Sequence, residues 1–144
     1  MTASAYPGAE LGLPERGPGS LAPFSRRLIA VFIDWMACTF IALAILDVPW
    51  GGLAGTASLL PLGVFALENL LLVSTAGMTL GHGLLGMRVH RVDALRQGRA
   101  GMPGLRSGLI RAALLCLLIP ALITDRNGRG LHDRAAGTLL LRSR

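Results

Sequence analysis

Besides Arg106 near the start of the third stretch, four charged side chains lie inside long apolar stretches of this 144-residue chain, where a charge is costly and therefore usually has a purpose. In membrane proteins, residues of this kind form buried ion pairs or line routes for protons and cations. They are Arg27 and Asp34 in residues 27–46, Glu68 in residues 53–76, and Arg111 in residues 105–124. The chemistry they favour is therefore that of carboxylates and guanidinium groups.

Counting along helices places three of these groups at one depth. Asp34 follows Arg27 by seven residues, which is two helical turns and about 10 Å of rise. Glu68 precedes the end of the second stretch by eight residues, and Arg111 is six residues into the third. Two interpretations follow. In the first, Arg111 forms a buried ion pair that fixes helix packing, with Asp34 as its partner and Glu68 as the competing partner. In the second, Asp34 and Glu68 share a titrating site.

A second polar cluster, GRGLHDRAAGT at residues 128–138, places His132, Asp133 and Arg134 next to one another. No second His-Asp pair exists to complete a metal-dependent hydrolase, so Asp133 is expected to cap a helix or to pair with arginines of the loop. No Ser/His/Asp or Cys/His nucleophile set can be assembled. The sequence therefore predicts no catalytic residue, and the chain is not expected to be an enzyme.

The segment GMTLGHGLLGMRV at residues 77–89 contains four glycines around Thr79 and His82. Glycine-rich turns at helix ends expose backbone N–H groups to anions, but the spacing is that of neither a P-loop nor a dinucleotide fingerprint. Close packing of the backbone is the favoured use. His82 lacks Cys or carboxylate neighbours at metal-ligand spacing, so the sequence predicts no metal site and no cofactor.

The elements that position these residues are mostly apolar helices. The chain is 52% hydrophobic and 15% charged, with a mean hydropathy of +0.57, which exceeds the apolar content of ordinary soluble domains. Residues 27–46 and 53–76 are each long enough to span about 30 Å of hydrocarbon, with Pro61 expected to kink the second span. Alternation over residues 85–92 predicts a short strand, and residues 138–142 predict another.

The third apolar stretch, residues 105–124, is harder to interpret. Its strongest apolar run covers residues 112–123, a length of 12 residues that fits a re-entrant segment better than a full span, and Pro120 lies where it would turn back. A full third span is the alternative. The predicted fold is thus an all-α integral membrane protein, with two transmembrane helices plus a third membrane-embedded helix or hairpin, and a small cytoplasmic β-hairpin.

Proline and arginine positions predict the domain boundary and the orientation. Residues 1–23 hold four of the eight prolines and no apolar stretch, so they predict a disordered tail without a signal peptide, followed by a membrane domain at 24–144.

All 14 basic residues are Arg, and none of them lies in residues 47–52, between the two spans. The positive-inside rule then predicts a multi-pass protein of a bacterial-type plasma membrane, with its N-terminus cytoplasmic. The re-entrant interpretation returns the C-terminus to the cytoplasm.

Four segments together resemble the RDD family of small membrane proteins: RRLIAVFID (26–34), GMTLGHGLLGMRV (77–89), GLIRAALL (108–115) and GLHDRAAGTLLLR (130–142). The resemblance covers about residues 23–143. It implies that Arg27, Asp34 and Asp133 are the arginine and two aspartates that give the family its name. It also implies motif roles for four further residues: Thr79, Gly81, His132 and Arg134. The family often has Lys at the position of His82.

The resemblance implies a membrane location but no defined activity, since ion transport is only a suggested role for the family. The first hypothesis is a non-enzymatic accessory or interaction module, because small residues in the helices favour close packing. The second is a proton-coupled cation transporter, which two spans could form only as a homo-oligomer. The expected partners are membrane lipids, further copies of the chain or a larger membrane complex, with the net charge of +6 attributed to membrane-flanking arginines rather than to nucleic-acid binding.

Overall fold

The computed structural model describes residues 6–99, 101–117, 123–125 and 128–144. Helices predominate within these ranges. The α-helices are α1 (Phe24–Leu46), α2 (Leu60–Ala76), α3 (Leu80–Leu84), α4 (Val92–Arg96), α5 (Gly104–Cys116) and α6 (Leu131–Ala135). The strands are β1 (Met87–Arg91) and β2 (Thr138–Arg142), and short 3-10 helices cover Ala9–Leu11 and Gly55–Leu59.

Two helical segments are long and apolar enough to cross a membrane. They are Phe24–Leu46 and Gly55–Ala76, with mean hydropathies of 2.3 and 1.7. Most of α1 outside its packed face is exposed, including Phe32 and Ile45, and exposed apolar surface of this kind is normal only against lipid or another protein. Both spans predicted from the sequence are therefore present as helices.

Pro61 does not kink the second span, which corrects the prediction. The α-helix begins at Leu60, so Pro61 lies in its first turn, where the missing backbone N–H has no helical acceptor to lose. The residues before it, Gly55–Leu59, form the 3-10 helix instead. The proline thus marks the start of α2.

Helix α5, which lies in the third apolar stretch of the sequence, packs along the C-terminal half of α2. Gly108 is the point of closest approach, since a side chain there would overlap the Ser74 hydroxyl and lie 3.2 Å from the Leu70 carbonyl oxygen. Small residues permit this kind of close helix packing. The predicted turn at Pro120 lies outside the described residues, and insertion of α5 into the membrane stays a prediction.

The two predicted strands pair with each other in an antiparallel ladder that runs from Met87↔Arg142 to Arg91↔Thr138. They are not a hairpin in the strict sense, because α4, α5 and α6 lie between them in the chain. Met87, Val89 and Leu140 pack against Ala30 of α1 and Val73 of α2 in one buried cluster. The sheet therefore covers the start of α1 and the end of α2.

Residues 19–22 belong to the fold, which corrects the boundary predicted at residue 24. The Ala22 N–H donates to the Leu140 carbonyl at 2.9 Å, and the Gly19 N–H donates to the Arg142 carbonyl at 2.8 Å. Ser20 and Ala22 are both buried. Backbone pairing to a free strand edge needs no hydrophobic periodicity, which is why composition alone assigned these residues to the tail.

Candidate functional site

Asp34 is buried in α1 and accepts two short hydrogen bonds from the start of α3. The Thr79 hydroxyl donates to Oδ2 and the Gly81 backbone N–H donates to Oδ1, each at 2.6 Å. Hydrogen bonds to an ionised carboxylate are roughly twice as strong as neutral ones. The glycine-rich segment therefore binds the carboxyl group of the chain's own Asp34.

Gly81 allows this contact because α3 lies directly on α1. A Cβ at residue 81 would overlap the backbone carbonyl of Ala30, so only glycine fits without a shift of the helix. Gly83, two residues on, has only ordinary space around it, since a Cβ at that position would lie 3.7 Å from the Met78 sulfur. Close backbone packing, the use favoured from the sequence, is confirmed at Gly81.

Glu68 of α2 binds the same turn as Asp34. Its Oε1 accepts from the Leu80 backbone N–H at 3.4 Å, and its Oε2 accepts from the Cys38 thiol at 3.1 Å. The two carboxylates therefore bind residues 79–81 from two different helices. Asp34 and Glu68 thus lie at one depth along their helices, as the residue count from the sequence predicts.

Asp133 forms the central ion pair of the site, with Arg111 of α5. Both side chains are almost completely buried, at 0% and 1% exposure. Asp133 Oδ1 contacts Arg111 Nη1 and accepts from the Thr138 hydroxyl at 3.2 Å. Arg27 approaches the other oxygen, with Nη1 3.9 Å from Oδ2, while its Nε donates to the Ala22 carbonyl at 2.9 Å.

The pairing of Arg111 expected from the sequence is wrong. Asp34 and Glu68 bind α3 instead, and the partner of Arg111 is Asp133. Among the described residues, Asp133 in turn neither caps a helix nor pairs with a loop arginine, since α6 has no side-chain cap at its N-terminus and Asp133 faces Arg111 and Arg27. The reason is tertiary: α6 folds back onto α5 and brings Asp133 to a depth that counting from a span cannot predict.

His82 closes the start of α3 as half of a capping box with Thr79. The Thr79 backbone N–H donates to His82 Nδ1 at 3.2 Å, and the His82 N–H donates to the Thr79 hydroxyl at 3.3 Å. Burial lowers the pKa of His82 to about 3, with the nearby Arg111 and Arg27 guanidinium groups acting in the same direction. The imidazole is therefore neutral at physiological pH and acts as a hydrogen-bond acceptor.

A pH dependence follows from this neutral histidine. The unfolded chain protonates His82 below a pKa of about 6.5 and the folded chain does not, so folding stability falls as the pH drops from 7.5 towards 3. At pH 5 the loss from this residue is about 2 kcal/mol. The variant His82→Gln keeps an acceptor for the Thr79 N–H, so it is expected to gain about 2 kcal/mol relative to the parent between pH 7.5 and pH 5 in detergent unfolding. An unchanged difference between the two proteins at both pH values would contradict a neutral His82.

The other motif residues take contrasting positions. His132 is buried, with Nε2 3.5 Å from Asp133 Oδ2, whereas Arg134 is exposed on the outer side of α6. Thr138 was missed from the sequence, although it is fully buried and its hydroxyl accepts from Arg111 Nη1 at 3.3 Å and donates to Asp133. Its signal is a polar residue at the start of an otherwise apolar strand.

A small cavity lies between the two halves of this site. Its volume is about 40 Å³, which is room for about one to three water molecules. Its polar lining includes Arg27, Asp34, Asn69, His82 and Arg111. Within the described ranges, no group of three His, Cys, Asp or Glu side chains could hold a metal ion. Chemically, the arrangement joins helices through buried charges around a space for a few waters.

Comparison with protein families gives one match. The profile of the RDD family matches residues 21–137, which include α1 to α6, the residues that bind Asp34 and the two arginines that face Asp133. A search of curated proteins found no match, and neither did a search of solved structures. The similarity starts at residue 21, inside the segment that pairs with β2.

Proposed function

Because the chain belongs to the RDD family of membrane proteins, we propose that its role in the membrane is that of a non-enzymatic accessory or interaction module. One observation carries this proposal: the charged residues of the motif bind one another and the backbone. Asp34 joins α1 to α3, and Asp133 joins α6 to α5 and α1. Side chains used in this way hold a fold together rather than act on a substrate.

The space inside the site supports the same role. The cavity of about 40 Å³ takes a few waters but no organic substrate. The apolar surfaces of α1 and α2 remain exposed and are free to meet lipid or the helices of another protein. The module thus presents its partners with a membrane-facing surface that the buried ion pairs keep rigid.

The proposal includes an orientation, with both termini in the cytoplasm of a bacterial-type cell. The structure lends support because residues 19–22 pair with β2, which puts the start of α1 and the end of the chain on one side. An excess of arginine on that side marks it as cytoplasmic by the positive-inside rule. In this orientation β2 lies on the side from which α5 enters the membrane.

Cysteine labelling tests this orientation. In a variant without Cys38 and Cys116, the exposed Ser143→Cys is expected to react with an impermeant maleimide only after the cells are permeabilised. The matched control is Trp50→Cys, an exposed position in the loop of residues 47–52 between the spans, which should react in intact cells. Labelling of residue 143 in intact cells would instead require α5 to continue as a third full span.

A proton-coupled cation carrier is the second candidate, favoured by the two carboxylates that bind one turn. Asp34 and Glu68 meet at residues 79–81, so a homo-oligomer could expose them to a shared path. Purified protein in liposomes separates the two proposals. We expect pH-driven cation flux equal to that of empty liposomes, whereas flux that Asp34→Asn abolishes would establish the carrier instead.

Purification in mild detergent tests the module directly. An accessory module is expected to elute with a second membrane protein in a fixed ratio, and this complex should survive Asp34→Asn if that variant stays folded. Elution of the chain as a homo-oligomer, with no other protein in a fixed ratio, would contradict the accessory role and agree with the carrier.

A further inference from the structure

A wide groove of about 810 Å³ opens beside the first turn of α5. Its walls come from α4, from the start of α5 and from the turn between α6 and β2. Three arginines line it: Arg91, Arg96 and Arg106. Arg91 is paired with Asp93 at 2.5 Å, but Arg96 and Arg106 form no ion pair with any described residue. The groove therefore offers two uncompensated guanidinium groups.

The position of α5 against α2 puts this groove at the end of the second span. Gly108 contacts Leu70 and Ser74, so the residues before it lie level with the last turn of α2 at Ala76. Leu105 at the rim and Leu109 one turn further along are 70% and 59% exposed on the same face of α5. Arg106 directly follows Leu105, so basic and apolar exposed side chains lie next to each other at the start of α5.

We propose that this groove binds the headgroup phosphate of an acidic phospholipid, with the acyl chains lying along Leu105 and Leu109. The inference rests on the proposed entry of α5 from the cytoplasmic side, where acidic lipids meet the basic surface. Guanidinium groups bind phosphate through paired N–H donors, and Arg96 of α4 and Arg106 of α5 line the groove from two different helices. Asp93 is the acidic residue that lines the described part of this groove, and it is already paired with Arg91, while the first turn of α5 holds no acidic residue.

Thermal unfolding of the full-length protein in mild detergent tests the proposal. After lipid removal, added phosphatidylglycerol is expected to raise the melting temperature, while phosphatidylcholine leaves it unchanged. The double variant Arg96→Gln, Arg106→Gln should need about 25-fold more phosphatidylglycerol for half of the rise, since each arginine strengthens attraction to acidic lipid by about fivefold. The matched control is Arg88→Gln, Arg99→Gln, which removes the same charge outside the groove and should behave as the parent.

Three results would overturn the proposal. An equal rise with both lipids would show that the headgroup charge is not recognised, and an equal weakening in both double variants would show that net charge acts without the groove. A full rise with glycerol phosphate or inorganic phosphate at the same concentration would assign the groove to a soluble phosphate instead. All four arginines are exposed, so the melting temperatures without lipid should agree and confirm that each variant folds. Because the assay is in detergent, it does not depend on the orientation or on the accessory role proposed above.

Discussion

Replacing Asp133 by Asn or Arg111 by Gln is expected to lower the free energy of unfolding by about 3–5 kcal/mol each. Either change leaves the other charge buried without its partner, and neither side chain has more than 1% exposure through which water could compensate it. The measurement is equilibrium unfolding of the purified protein in detergent. No other single pair in the described residues combines two full charges with such complete burial.

The double variant shows whether this loss comes from the pair itself. Removing both charges should cost clearly less than the sum of the single losses, because neither member of the closest pair is then left without the other, and Arg27 keeps its hydrogen bond to the Ala22 carbonyl. The control cycle combines Asp34→Asn with Arg111→Gln, and its losses should add, since Asp34 binds Thr79 and Gly81 rather than Arg111. Additive losses in the Asp133 cycle together with coupling in the Asp34 cycle would reverse the assignment of partners.

Replacing Asp34 by Ala is expected to cost about 3 kcal/mol, whereas Asp34→Asn should cost about 1 kcal/mol. Alanine leaves the buried Thr79 hydroxyl and the Gly81 N–H without an acceptor. Asparagine keeps an oxygen for Gly81, and its amide N–H₂ group can donate to the Thr79 hydroxyl instead. Thermal unfolding in detergent measures both losses.

Thr79→Ser is the control for the Asp34 site, because it retains the hydroxyl that donates to the carboxylate and accepts from His82. The melting temperature of this variant should be close to that of the parent protein. Equal losses for the Ala and Asn variants of Asp34 would mean that the negative charge itself, rather than its two hydrogen bonds, stabilises the junction of α1 and α3.

Local composition was sufficient to locate the long helices and the two strands of this protein, but it did not predict the short helices α3, α4 and α6. A span depends on about 20 consecutive apolar residues, so residues 27–46 identified α1 to within one turn. Strands depend on alternation and apolar runs, and the predicted strands at 85–92 and 138–142 became β1 and β2. The RDD motif added the identity of Arg27, Asp34 and Asp133 as the residues to examine.

The partners of those residues were decided only by the tertiary structure. Helical counting gives depth along one axis, and so it placed Asp34 and Glu68 at one level correctly. It gives no information about which helix face meets which, nor about a segment such as α6 that leaves the membrane helices and folds back onto them. A buried charge takes the oppositely charged group or polar donor that packing brings within about 3 Å, and for Arg111 that group is Asp133, reached through a loop whose path no local pattern encodes.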